Sequence, residues 1–248
     1  MLKRYFQDIK RTKAAFKYTG SLATTSVYAF CFRELSFLIT PLFLRWGLSA
    51  NGTTLLSGMV GMAAVVSICV SFTRDMYGIG LCLYFAYYML DYVDGNLARC
   101  RDEATYFGKF FDGLVNGFVE SLFPLALGIY CWAQTEEAIG FAVGLCAALA
   151  LCFSNFIIER YCNYSRWCQE AAAKKSIADP YGRNLAILTR ISRDLQFCLL
   201  LLSFGTWRIP CILSYALVLF INEFCNGCYY LWLAWQTLRV HRRSIHAA

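Results

Sequence analysis

Three aspartates and an asparagine stand at helical spacing within DYVDGNLARCRDEATYFGKFFDGLVN, residues 91–116. Asp91 and Asp94 are three apart, and Asp112 and Asn116 are four apart. On helices, either spacing puts both side chains on one face. Apolar sequence flanks the stretch on both sides. An ionised Asp deep in a membrane span costs about 2.5–3.5 kcal/mol on insertion scales. Three together also repel one another, so the cluster needs a compensating charge. A divalent cation is the natural one, because Mg²⁺ and Mn²⁺ take hard oxygen ligands. Gly95 and Gly108 remove side chains where a ligand must approach the backbone, and Arg99 can answer a phosphate. Polar residues solvated at a helix end would explain one such Asp but not the whole pattern.

The elements that position these residues are membrane helices. The chain has 248 residues, 58% of them apolar, with mean hydropathy +0.47. A soluble domain is closer to half apolar. A span needs about 20 mostly apolar residues. Six stretches qualify: 53–73, 77–98, 108–132, 137–158, 193–207 and 209–236, the fifth being short. With a cytoplasmic N-terminus, this count places 21 of the 23 Lys and Arg on the cytoplasmic side, leaving only Arg74 and Arg208 opposite. That is the bias the positive-inside rule predicts. Both termini and the Asp cluster then face the cytoplasm. The net charge of +7 reflects this topology and contact with anionic lipid, and gives no reason to expect nucleic acid.

The reading is an all-α polytopic membrane protein forming a single domain over 1–248. Its six-helix bundle covers 53–236, preceded over 1–50 by amphipathic interfacial helices. Residues 1–20 mix Lys and Arg with Tyr, Phe and Leu, as suits a surface helix. Residues 33–48 are apolar but carry Arg33, Glu34 and Arg45 and contain Pro41. They read as a second interfacial helix, with a seventh hydrophobic segment as the alternative. SANGTT, from Ser49, supplies a turn and helix-capping side chains. The polar stretch 160–192 is the longest loop. The 13 Cys lie mostly inside spans and read as small packing residues. The two His, His241 and His246, sit in the tail, which argues against a His-based zinc site or triad. The first 20 residues lack the apolar core of a cleaved signal peptide.

The run Asp91-x2-Asp94-Gly95-x2-Ala98-Arg99-x8-Gly108-x3-Asp112 resembles the signature of the CDP-alcohol phosphotransferases, membrane enzymes of phospholipid synthesis. Seven of the eight signature positions are present across 26 residues. Asn51-x2-Thr54 is similar to the turn before that family's first span. The resemblance implies attack of a hydroxyl acceptor, an alcohol or lipid, on the β-phosphate of a CDP-linked donor, with release of CMP. It implies two ions, Mg²⁺ or Mn²⁺, with Asp91 and Asp112 shared and Asp94 completing the first. It assigns Asn51, Thr54, Gly95, Arg99, Thr105 and Gly108 to the CDP moiety. It also favours a homodimer, for which Gly140, Gly144 and Ala148 form a small-residue stripe serving either the monomer core or a dimer contact.

The eighth position departs. The family has an Asp that ligates the second metal and takes the acceptor's proton, whereas this chain has Asn116. An amide oxygen can still ligate a cation but is no general base at neutral pH. Three explanations stay open: a deliberately inactivated variant, a natural branch with another base, or a non-catalytic member. Glu120, one turn further along the same face, is the obvious other base. Glu223 is a second carboxylate within an apolar stretch, flanked by Asn222 and Asn226. Arg166, Arg190 and Arg193 offer a site for the phosphate of an acceptor or lipid, or serve topology alone. The rival class is a divalent-cation transporter or channel. It leaves the spacing of Gly95, Arg99 and Gly108 unexplained.

Overall fold

The computed structural model describes residues 2–15, 26–71, 74–172 and 183–246. Regular structure among them is helical throughout. The order is α1 (Leu2–Ala15), α2 (Val27–Arg45), α3 (Ala50–Cys69), α4 (Arg74–Arg101), α5 (Tyr106–Thr135), α6 (Ala138–Ala172), α7 (Arg183–Leu202) and α8 (Arg208–His246).

Five described segments are long and apolar enough to cross a membrane: Val27–Arg45, Ala50–Cys69, Tyr106–Thr135, Ala138–Tyr164 and Arg208–Gln236. This set differs from the six expected spans. Helix α2 joins it, since its helix begins earlier than the sequence suggests and runs unbroken through the buried Pro41. Helices α4 and α7 do not meet the criterion. The apolar stretch of α4 is diluted by Tyr77, Tyr84, Tyr87, Tyr88, Asp91 and Tyr92, and α7 carries Arg190, Arg193 and Asp194. Helix α4 buries Tyr77, Leu81, Tyr84, Tyr87, Val93 and Leu97 together with Asp94 and Asn96, while Arg99 near its end is exposed. The expected loop at 160–192 is largely helical, divided between the end of α6 and the start of α7. Residues 173–182, with Lys174, Lys175 and Pro180, lie outside the described residues.

Helix α1 docks on α2 through Lys13–Glu34 at 2.6 Å, Arg45–Asp8 at 3.3 Å, and a hydrogen bond from the Tyr5 hydroxyl to the Leu38 carbonyl. Exposed ion pairs of this kind contribute little each. A further link ties α1 to α4, where Arg11 donates to the Cys100 carbonyl at 3.3 Å.

Helix α3 is the hub. The short α4–α5 connection suggests that these two helices are direct antiparallel neighbours. Instead α3 packs closely on both, and the α4 and α5 backbones scarcely approach each other. A Cβ at Gly58 would lie 2.7 Å from Val115 Cγ1, and one at Gly61 would lie 2.6 Å from Val119 Cγ1, so glycine is what lets α5 sit against α3. Large side chains bridge the remaining gap: Tyr84 stacks on Phe123, and Tyr87 reaches Asn116.

Helices α5 and α6 approach most tightly at Gly128 and Gly144. A Cβ on Gly144 would stand 2.6 Å from Gly128 Cα and 2.7 Å from the Pro124 carbonyl oxygen. A Cβ on Gly140 would meet Cys131 Cβ at 2.7 Å, and Ala148 is buried. The small-residue stripe therefore serves the chain's own core. Gly144→Leu should destabilise the protein by at least the roughly 1–3 kcal/mol of ordinary overpacking, because rigid backbone blocks the new side chain. Thermal unfolding in detergent checks this. A midpoint equal to the parent's would refute the tight α5–α6 approach.

Candidate active site and metal centre

Each of Asp91, Asp94 and Asp112 offers a carboxylate oxygen such that the three lie within 4.8 Å of one another. Asp91 and Asp94 come from one face of α4, and Asp112 from the first turns of α5. Local capping sets the ends of these elements. The Thr105 hydroxyl accepts from the Gly108 amide at 3.0 Å and starts α5, and the Ser49 hydroxyl accepts from the Gly52 amide at 3.1 Å and starts α3. Asn51 and Thr54 consequently sit in the first turns of α3, not in a turn ahead of it.

Asp94 is buried, and the Thr54 hydroxyl donates to its Oδ2 at 2.6 Å. That bond orients the carboxylate from α3. Asn116 stands at the centre of the polar gap. Its Nδ2 donates to Asp91 Oδ1 at 2.7 Å and to Asp112 Oδ1 at 2.9 Å, while its Oδ1 accepts from the Tyr87 hydroxyl at 2.8 Å. The amide thus places partial positive charge between two carboxylates that would otherwise repel. Three hard oxygen donors so close together suit a divalent cation of the Mg²⁺ or Mn²⁺ type. The Thr54 bond supplies the outer support such ligands need.

A cavity of about 180 Å³ opens beside the carboxylates. Asn51, Thr54, Gly95, Arg99, Thr105 and Gly108 all line it, together with Asp94 and Asp112. The six residues that the resemblance assigns to a CDP moiety are therefore gathered round one space. Their local roles are distinct. The Thr105 hydroxyl is engaged as a helix cap. A Cβ on Gly108 would press on Asn51 Oδ1 at 3.2 Å, so glycine there keeps the rim open. A Cβ on Gly95 would meet the Arg99 guanidinium at 3.2 Å, so Arg99 folds back over its own helix across a glycine. Lys109 also lines the cavity. Its place beside Gly108 is the signal in the sequence that marks it.

Glu120 accepts from the Tyr88 hydroxyl at 3.4 Å. With Asn116 it lines a larger groove of about 800 Å³ between α5 and α6, which Asn155 and Glu159 also border. Arg190 and Arg193 are not in the carboxylate cavity. Arg190 pairs with Asp194 at 3.8 Å. Arg193 donates to the Thr189 carbonyl at 3.4 Å and borders a small cavity with Tyr28, Tyr88 and Phe197. Arg166 lies outside the described side chains. Glu223 accepts from its neighbour Asn222 at 2.7 Å.

Within this all-helical, apolar bundle, the clustered carboxylates stand beside a cavity that Arg99 and Lys109 line. The family model for CDP-alcohol phosphatidyltransferase matches residues 48–219, and the chain belongs to that family. Comparison with curated proteins returns no match. The matched segment starts just before α3 and ends within α8, so α1 and α2 precede it.

Proposed function

We propose that the chain transfers a substituted phosphate from a CDP-linked alcohol to a hydroxyl acceptor, releasing CMP, in the synthesis of phospholipids or related lipids. The observation that carries this reading is the shared wall between the carboxylate trio and the cavity lined by Arg99 and Lys109. Asp91, Asp94 and Asp112, with Asn116 beside them, would hold two Mg²⁺ or Mn²⁺ ions. When bound, such ions neutralise a diphosphate and stabilise charge on the leaving oxygen. The acceptor oxygen bonds to the β-phosphorus, the bond from that phosphorus to the bridging oxygen breaks, and CMP leaves with the electron pair. Arg99 meets the diphosphate, and Gly95 keeps the guanidinium low over α4. Thr54 holds Asp94 in orientation. The acceptor's proton needs a base that the Asn116 amide cannot supply, and Glu120, which shares the α5–α6 groove with Asn116, is the next carboxylate along the helix.

On the six-span count, with α1 and α2 on the cytoplasmic face, the Lys and Arg bias favours the cytoplasmic side for the site and both termini. The family resemblance favours a homodimer.

The test is CMP release in liposomes, screened over CDP-linked donors and hydroxyl acceptors, with and without a chelator. Donor-dependent, chelator-sensitive CMP release supports the reading. Cation flux without CDP binding would instead establish the transporter alternative. Within the same assay, Arg99→Ala should weaken binding of CDP about tenfold or more, the loss expected for a hydrogen bond to a charged group. An affinity within twofold of the parent, in a folded protein, would remove Arg99 from the donor site.

A further inference from the structure

Asn96 lies inside the signature run, at a position the signature leaves open. It is 2% exposed, on a helix whose neighbouring residue Leu97 is also fully buried. Its Nδ2 donates to Ser36 Oγ at 2.9 Å and to Thr40 Oγ1 at 3.2 Å. Its Oδ1 accepts from Arg99 Nη2 at 3.0 Å. Ser36 and Thr40 are themselves fully buried, on one face of α2. Their hydroxyl protons are spent along α2, with Ser36 donating to the Arg33 carbonyl at 2.7 Å and Thr40 to the Ser36 carbonyl at 2.7 Å. Their oxygens are then free only to accept. Donor and acceptor types leave the amide one orientation, with nitrogen toward α2 and oxygen toward the guanidinium.

Helix α2 precedes the family-matched segment, yet it reaches the candidate site through this amide. Arg99 is held from two directions: it lies over Gly95, where a Cβ would intrude, and it is hydrogen-bonded by Asn96. An arginine left to itself samples many rotamers, and ordering it on binding weakens affinity. Here one guanidinium nitrogen is already held by Asn96 before any ligand arrives.

We propose that Asn96, gripped by Ser36 and Thr40, is the positioning residue for Arg99, so that α2 sets the affinity of the cavity for a cytidine diphosphate group. This rests on the reading that Arg99 meets the donor's diphosphate. Asn96→Leu keeps approximate volume and removes every bond of the amide. Ser36 and Thr40 retain their own bonds along α2, so the fold should survive.

The experiment titrates CDP, at saturating Mg²⁺, into the parent, Asn96→Leu, Arg99→Ala and the double variant in detergent. It also titrates Mn²⁺ alone into each. Asn96→Leu should raise the Kd for CDP about tenfold, the equivalent of one hydrogen bond to a charged group, and leave Mn²⁺ affinity unchanged. In the Arg99→Ala background, Asn96→Leu should have no further effect on CDP, because the two act as one unit. A merely structural Asn96 would lower the unfolding midpoint and shift CDP affinity equally in both backgrounds. That result overturns the proposal, as does an unchanged Kd in folded Asn96→Leu. If Asn96→Leu fails to fold, Ser36→Ala combined with Thr40→Val tests the same grip from α2 while keeping the amide. A Kd equal to the parent's there also overturns it. A Kd unaffected by Arg99→Ala would instead refute the donor-site reading itself, and the two failures are therefore distinguishable.

Discussion

Replacing Asn116 with Asp should raise CMP release by roughly 10²-fold or more, the lower range of what a positioned general base contributes. The amide now donates to Asp91 and Asp112 and accepts from Tyr87. A carboxylate in its place keeps the Tyr87 bond but turns two attractive contacts into repulsive ones. The metal-free Asn116→Asp protein should therefore be less stable than the parent, and Mn²⁺ should bind it more tightly and recover the loss. Unfolding midpoints with and without Mn²⁺ read this independently of turnover. If Glu120 is the working base, the parent should already release CMP, and Glu120→Gln should abolish that release. Glu120 is about 6 Å further along the helix axis than Asn116, from the 1.5 Å rise per residue. It shares the α5–α6 groove with Asn116 and contacts Tyr88, so it is not lost to lipid. CMP release indifferent to both substitutions would mean that the proton leaves to water or to the substrate's own phosphate.

Asp112→Ala should cost more in Mn²⁺ affinity than the roughly 10–100-fold typical of changes around a metal's ligands, since it removes a ligand outright. Among the described acidic residues of the cluster, Asp112 is the one that α5 contributes. Removing it also strips Asn116 of one of its two acceptors. CDP binding at low Mg²⁺ should fall with it, while CDP binding to the cavity rim through Arg99 should persist in part. Isothermal titration of Mn²⁺ and then CDP checks both. Mn²⁺ affinity within threefold of the parent would show that Asp112 is no ligand and that the three carboxylates are gathered for another reason.

Several features of this protein are determined by sequence alone, and each is local. The three- and four-residue spacings of Asp91, Asp94, Asp112 and Asn116 place them on helix faces whatever surrounds them, and those faces do converge. Ser49 and Thr105 cap helices because their hydroxyls reach amides three residues away. Gly95 and Gly108 mark close approach because a Cβ there would crowd Arg99 and Asn51 at 3.2 Å. What the tertiary structure decided depends on which faces meet, and periodicity is silent on that. The helices bearing the carboxylates are kept apart, with α3 packed on both, because Gly58 and Gly61 favour that contact. Gly144 faces Gly128 and not a second copy, because the α5 backbone fits against it. Helix α2 supplies Ser36 and Thr40 to Asn96, across 60 and 56 residues of chain. Tyr87 finds Asn116 across 29. A buried amide takes whichever acceptors the packed backbones bring within 3 Å or so, and nothing in the neighbouring sequence names them in advance.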